Sequence, residues 1–133
     1  MYPHTQILRM GGQTSRITQK IIAATIEVHQ HLGPAYHESI YQRALAYEMS
    51  LQNISFEKEK EISVSYKDTP VGKYRLDFLV EEKVIVELKA VEALNDVHLS
   101  QVLSYLSATS SKIGLLLNFA RARLVDGIKR VIQ

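Results

Sequence analysis

The sequence predicts one mixed α/β domain with a central β-sheet flanked by helices, and three observations carry that prediction. Apolar residues recur at helical spacing across residues 14–51, a period of two takes over near residue 59, and an unbroken apolar run, residues 113–119, follows a third helical stretch. At 133 residues the chain can bury one core and is too short for two independent ones.

Residues 1–13 are expected to be irregular, ending in Gly11-Gly12-Gln13, with a single domain over 14–133. Thr14 or Ser15 then caps a helix whose apolar positions are Ile17, Ile21, Ala24, Val28 and Leu32, and Gly33-Pro34 stops it. From Glu38 to about Leu51 the spacing of Ile40, Tyr41, Ala44, Leu45 and Met49 is helical again, with Asn53 as terminator. Ile62, Val64 and Tyr66 alternate with polar residues as in a half-buried strand, and Lys67-Asp68-Thr69-Pro70 supplies a turn. A second strand spans 73–80, and Glu81-Glu82-Lys83 connects it to a third over 84–90. Asn95 or Asp96 caps a helix carrying Leu99, Val102, Leu103 and Leu106. The apolar run that follows fits a central strand covered on both faces. The tail, 121–133, matches neither period cleanly and is read as an edge strand.

Composition narrows the function classes. The hydrophobic share of 46% and charged share of 23% exclude a disordered or collagen-like chain. With no cysteine, disulfides, thiolate zinc sites and cysteine nucleophiles are ruled out, so any metal is bound through oxygen or imidazole. No run approaches the roughly 20 apolar residues of a membrane span, and MYPHTQILRM lacks the layout of a signal peptide. The expectation is a cytoplasmic protein with no membrane partner. A net charge of +2 permits a polyanionic partner without demanding one.

Alternation along the third strand puts Glu87 and Lys89 on one face and Val86, Leu88 and Ala90 on the other. If the second and third strands are hairpin neighbours, Asp77 lies nearly opposite Glu87. Two carboxylates that close repel each other unless a cation lies between them, and a hard divalent ion resolves the conflict. The matching chemistry is metal-assisted phosphodiester hydrolysis: Mg²⁺, or Mn²⁺, polarises the phosphate, and an ammonium group stabilises developing charge. Taken alone, the same three residues fit an exposed ion pair on a one-sided sheet equally well. Gln101 and Tyr105 add weight, because at i and i+4 they share one face of the next helix, where an amide and a phenol can contact substrate phosphate.

Asp77, then Glu87-Leu88-Lys89, then Gln101-Val102-Leu103-Ser104-Tyr105, resembles the PD-(D/E)XK nuclease signature with its QxxxY extension. More closely, HLGPAYHESIYQRALAYE, YRLDFLVEEKVIVELKAVEAL, HLSQVLSYL and GLLLNFA resemble the small GxxExxY family within that superfamily. The resemblance implies a restriction-endonuclease-like core in the order αβββαβ and a divalent-metal-dependent nuclease acting on DNA. It implies Asp77, Glu87 and Lys89 as catalytic residues, Asp77 and Glu87 as metal ligands with Glu38 joining them from a helix, and Gln101 and Tyr105 as substrate positioners. Ala35 stands where the family has its first glycine, which puts any tight backbone approach at that loop in question.

His29 and His98 read as helix-surface or capping residues and not as ligands. Lys58, Lys60, Lys67, Lys73 and Arg75, together with Arg121, Arg123, Lys129 and Arg130, offer charges for tracking a phosphate backbone, but the interleaved Glu57, Glu59 and Glu61 favour an ordinary solvated face. Tyr36, Tyr41, Tyr47, Tyr66 and Tyr74 offer rings for stacking on unpaired bases, although their spacing follows the apolar pattern and places most of them in the core or at its rim. Two alternatives from other classes stay open: a catalytically inactive module that binds nucleic acid or a protein, and a structural subunit. A domain this small is also a candidate homodimer.

Overall fold

The helices form because their apolar residues line up on one face. The computed structural model describes residues 12–133, so the expected irregular segment lies outside the described residues up to residue 11. Helix α1 spans Gly12–Leu32, and Ile17, Ile21, Ala24 and Val28 bury its inner stripe. It begins two residues before the expected cap at Thr14, a shift within the usual spread of helix ends. It stops where expected: Gly33 takes the left-handed backbone at φ 75° and donates its N–H to the His29 carbonyl at 2.8 Å. Helix α2, Glu38–Leu51, buries Tyr41, Leu45 and Met49, and Asn53 follows it at φ 59°.

Strands β1 (Phe56–Tyr66) and β2 (Thr69–Val80) make a long antiparallel hairpin. Its turn is tighter than expected. Lys67 and Asp68 alone make it, both at positive φ, and Thr69 and Pro70 already belong to β2. Strand β3 (Val84–Lys89) pairs antiparallel with β2 and parallel with β4 (Ile113–Asn118), the crossover being helix α3 (Asp96–Ala108). Asn95 caps α3, accepting from the N–H groups of Val97 and His98, while the His98 ring accepts from the Asn95 N–H.

The tail resolves into a short 3₁₀ turn α4 (Leu124–Gly127) followed by edge strand β5 (Ile128–Ile132). Two short elements in succession explain why no single period fitted it. Strand order is β1-β2-β3-β4-β5, a five-stranded mixed sheet with helices on both faces. Helices α1 and α2 pack on one face through Tyr41, Phe78, Val86, Leu88, Leu115 and Phe119; α3 packs on the other through Leu76, Ile85, Val102, Leu106 and Leu116. Every residue of β4 is buried, as a doubly covered strand requires. Among the described residues no helix is long and apolar enough to cross a membrane.

The seat of α3 depends on one glycine. A Cβ on Gly114 would lie 2.6 Å from Val102 Cγ1 and 3.5 Å from the Ile85 carbonyl oxygen. The β-branched Val102 has little rotamer freedom with which to yield. Gly114→Ala should therefore push α3 off the sheet and lower stability by about 1–3 kcal/mol. Urea unfolding checks this through a lower midpoint at unchanged slope.

Candidate active site

Backbone pairing between β2 and β3 covers Val80↔Val84, Leu79↔Ile85 and Phe78↔Val86, and there it ends. The next opposed pair is Asp77 and Glu87, so the expected juxtaposition is present. Side chains replace the ladder at that point. The Asp77 N–H donates to Glu87 Oε2 at 2.8 Å, and the Leu88 N–H donates to Asp77 Oδ2 at 2.8 Å. Each carboxylate thus uses one oxygen to hold the opposite strand, and the strands splay apart beyond them.

A distortion of β1 accompanies the splay. Glu59 has φ 56°, left-handed for a non-glycine residue inside a strand, and no Glu59/Asp77 backbone pair joins the register, which shifts again nearer the turn between Val64 and Ser65. Phe56 and Phe78, with ring centroids 5.4 Å apart, lie on the α1/α2 face, yet Ile62 and Leu76 pack against α3. The hairpin therefore rotates by one face at Glu59 and Asp77.

Beside the splay lies a cavity of about 230 Å³ lined by Glu38, Ser39, Gln42, Asp77 and Leu88. Helix α2 supplies its facing wall, and the loop before α2 is tied by Tyr41. The Tyr41 hydroxyl donates to the Gly33 carbonyl and accepts from the Tyr36 N–H at 3.1 Å, while its ring stacks on Phe119 at 4.3 Å. Left-handed backbone in this loop falls at Gly33 and not at Ala35, so the alanine meets no conformational obstacle. Ser39 and Gln42 escaped the sequence reading; Gln42, at i+4 from Glu38, carries the signal that would have found it.

On the other side, Lys89 Nζ donates to Gln101 Oε1 at 3.2 Å. Tyr105, 5% exposed, lies close enough to Glu87 and Asp77 to feel their charge. Burial first, then Glu87, raises the phenol to about 12, so it stays a proton donor at neutral pH. Sequence reasoning also missed Asn118, buried at the end of β4. Its side-chain amide donates to the Val91 carbonyl at 2.9 Å and accepts from the Val91 N–H at 3.1 Å, and the Phe119 N–H donates to the Lys89 carbonyl at 2.9 Å. The backbone that follows Lys89 is thereby clamped to β4.

His29 departs from its surface reading. It is buried on α1, and its Nε2 meets the carbonyl oxygens of Arg121 at 2.9 Å and Phe119 at 3.2 Å, tying the helix to the β4–α4 loop. His98 is the capping residue expected. The tyrosines depart too: of the five considered only Tyr41 is buried, and Tyr36, Tyr47, Tyr66 and Tyr74 are exposed. Three of the hairpin cations pair with acids, Lys60 with Glu57, Lys73 with Glu61 and Arg75 with Glu59.

All three acids are held above the ordinary carboxylate range. Burial dominates for Glu87, and the Asp77 charge adds to it, lifting Glu87 to about 8. Burial also raises Asp77, against the Leu88 N–H and Lys89, and raises Glu38, which Lys89 opposes. Among the described residues no group of three or more His, Cys, Asp or Glu side chains is placed to hold a metal ion, so this geometry does not gather Glu38 with Asp77 and Glu87 as a third direct ligand. The donor set instead offers two adjacent carboxylates, each with one oxygen outside these hydrogen bonds, Asp77 lining the cavity and Glu87 buried beside it. That suits Mg²⁺, which takes one or two carboxylates and keeps water or substrate phosphate for its other positions.

A carboxyl group raised by folding stabilises the fold fully below its unfolded value, and the contribution disappears as pH climbs through the folded value. For Glu87 the window runs from about 4.5 to about 8. Glu87→Gln keeps an acceptor for the Asp77 N–H and should remove that slope, leaving the variant more stable than the parent at pH 8 by a few kcal/mol at most. Metal-free thermal melts across the window measure the difference, and parallel curves would show that the acid pair ionises without penalty.

A family model for the PD-(D/E)XK nuclease superfamily matches residues 15–131. Comparisons with curated proteins and with solved structures return no match. Nucleases of this superfamily generally use divalent metal ions and act on nucleic acid. With the match running from the first turns of α1 into β5, over a five-stranded mixed sheet flanked by helices, the chain belongs to the PD-(D/E)XK nuclease superfamily.

Proposed function

We propose that the protein is a divalent-metal-dependent nuclease that hydrolyses phosphodiester bonds in DNA, and that it falls in the GxxExxY branch of its superfamily. The observation that carries the reading is the Asp77–Glu87 pair, two half-engaged carboxylates at the point where β2 and β3 part. Nothing in strand pairing calls for acids there, since apolar residues with an unbroken ladder would hold the strands more cheaply. A cation that offsets their repulsion is the missing partner.

In this reading Asp77 and Glu87 hold Mg²⁺, with Mn²⁺ as a substitute, and the ion when bound supplies Lewis acidity to the phosphate and acidity to a ligated water. Lys89, oriented by Gln101 at 3.2 Å, places a positive charge beside the phosphate, where charge accumulates as the bond breaks. Tyr105 keeps its proton and donates to a phosphate oxygen. Glu38 acts as an outer ligand from the facing wall of the cavity, through solvent. Gln101 and Tyr105 position substrate; Asp77, Glu87 and Lys89 carry the chemistry.

Cleavage of linear and circular, single-stranded and duplex DNA with Mg²⁺ or Mn²⁺ tests the proposal. Lys89→Ala should lower the rate by about 10²–10³. Asp77→Asn, which keeps an acceptor for the Leu88 N–H, should abolish cleavage with the fold retained. Mg²⁺ should raise the melting temperature of the parent and not of Asp77→Asn, because only a ligand held by the folded state stabilises it. Failure of every metal to support cleavage would leave a nucleic-acid-binding module in place of the enzyme.

A further inference from the structure

One of the unexpectedly exposed tyrosines stands beside the site. Tyr74 lies three residues before Asp77 on β2, in the stretch beyond the last β2–β3 pair, and is 55% exposed. One part of its ring packs on Tyr105, with centroids 5.6 Å apart and planes tilted by 56°. Tyr105 in turn feels the charges of Glu87 and Asp77. A contiguous line therefore leads from the carboxylates through a buried ring to an open one. The register sets Tyr74 opposite Ile62, whose side chain is occupied in the α3-side core, and among the described residues no neighbouring strand covers the open ring.

The charges on the same hairpin point the same way. Lys60, Lys73 and Arg75 are each within 3.1–3.5 Å of a glutamate, and Lys67 Nζ lies 5.3 Å from the Tyr66 ring centroid, which leaves Lys58 as the arm's cation outside these contacts and a thin set of charges with which to follow a duplex backbone. Duplex binding draws most of its affinity from many phosphate contacts. Single-strand binding can instead draw on bases stacked against aromatic rings.

We propose that Tyr74, supported by Tyr105, is a stacking platform for an unpaired base next to the scissile phosphate, so that the substrate is single-stranded DNA. This rests on the nuclease reading of the carboxylate site. In a duplex both faces of a base are covered by its neighbours, and reaching Tyr74 would require unstacking it. A strand with free bases meets no such penalty.

Fluorescence anisotropy of the full chain with a labelled oligothymidylate about 12 nucleotides long, in chelator so that nothing is cleaved, tests the platform apart from catalysis. The parent should bind this strand more tightly than an abasic strand of equal length or a blunt duplex. Tyr74→Ala should weaken thymidylate binding roughly tenfold and erase the preference over the abasic strand, while Tyr74→Phe should retain both. Equal affinity of the parent for thymidylate and abasic strands, tighter binding of the duplex, no measurable binding of any strand, or an unchanged affinity in Tyr74→Ala would each overturn the proposal. Loss of the nuclease reading would appear elsewhere, as absence of cleavage with intact base-dependent binding.

Discussion

The rest of the structure depends on two carboxylates that take over strand pairing where the backbone gives it up. Asp77 and Glu87 each accept an N–H from the opposite strand at 2.8 Å, so they hold β2 and β3 together while forcing them to diverge. Had this position been apolar with a continued ladder, β3 would zip against β2 and the cleft facing α2 would close. The divergence is what gives Asp77 a place in a cavity shared with Glu38.

A rotation of the hairpin serves the same end. Strand residues two apart share a face, yet Leu76 packs against α3 and Phe78 against α1 and α2. The turn-over is taken up in β1 by Glu59 in left-handed backbone, a conformation that costs a non-glycine residue about 1 kcal/mol or more and persists only where its surroundings enforce it. Here both faces of the sheet enforce it, because Phe56 is pinned against Phe78 on one side and Ile62 lies with Leu76 on the other. Asp77 sits at the pivot, which is why a single acid can meet both the α2 side and the α3 side of the sheet.

Much of this was legible in the sequence because it rests on local periodicity. The alternation around Glu87 and Lys89, the doubly buried β4, the Gly33 stop and the Asn95 cap all follow from residue spacing and type. The opposition of Asp77 to Glu87 followed from the short Glu81-Glu82-Lys83 connection, since a tight turn fixes register. What stayed hidden depends on long-range geometry. The face switch at Glu59 needs α3 in place; Ser39 and Gln42 enter the site only because α2 crosses the splay; His29 finds its carbonyl partners 90 and 92 residues away along the chain. Tyr66 and Tyr74 were misjudged because their pattern on β1 and β2 mimics core alternation, whereas the hairpin runs past the last β3 pair and leaves both rings exposed.

The acid pair survives in a folded protein because its strand cannot move to relieve it. Strand β3 is locked to β4 through six parallel positions, from Val84↔Ile113 to Lys89↔Asn118, and its apolar residues Val84, Ile85, Val86 and Leu88 are buried on both faces. Asn118 and the Phe119 N–H then clamp the chain on the far side of Lys89. Each buried apolar side chain stabilises by roughly 1.5–3 kcal/mol, so four of them outweigh the penalty of holding Glu87 beside Asp77. The core thus does not merely tolerate the site. By denying β3 any relaxation it keeps the carboxylates close and their proton affinity high.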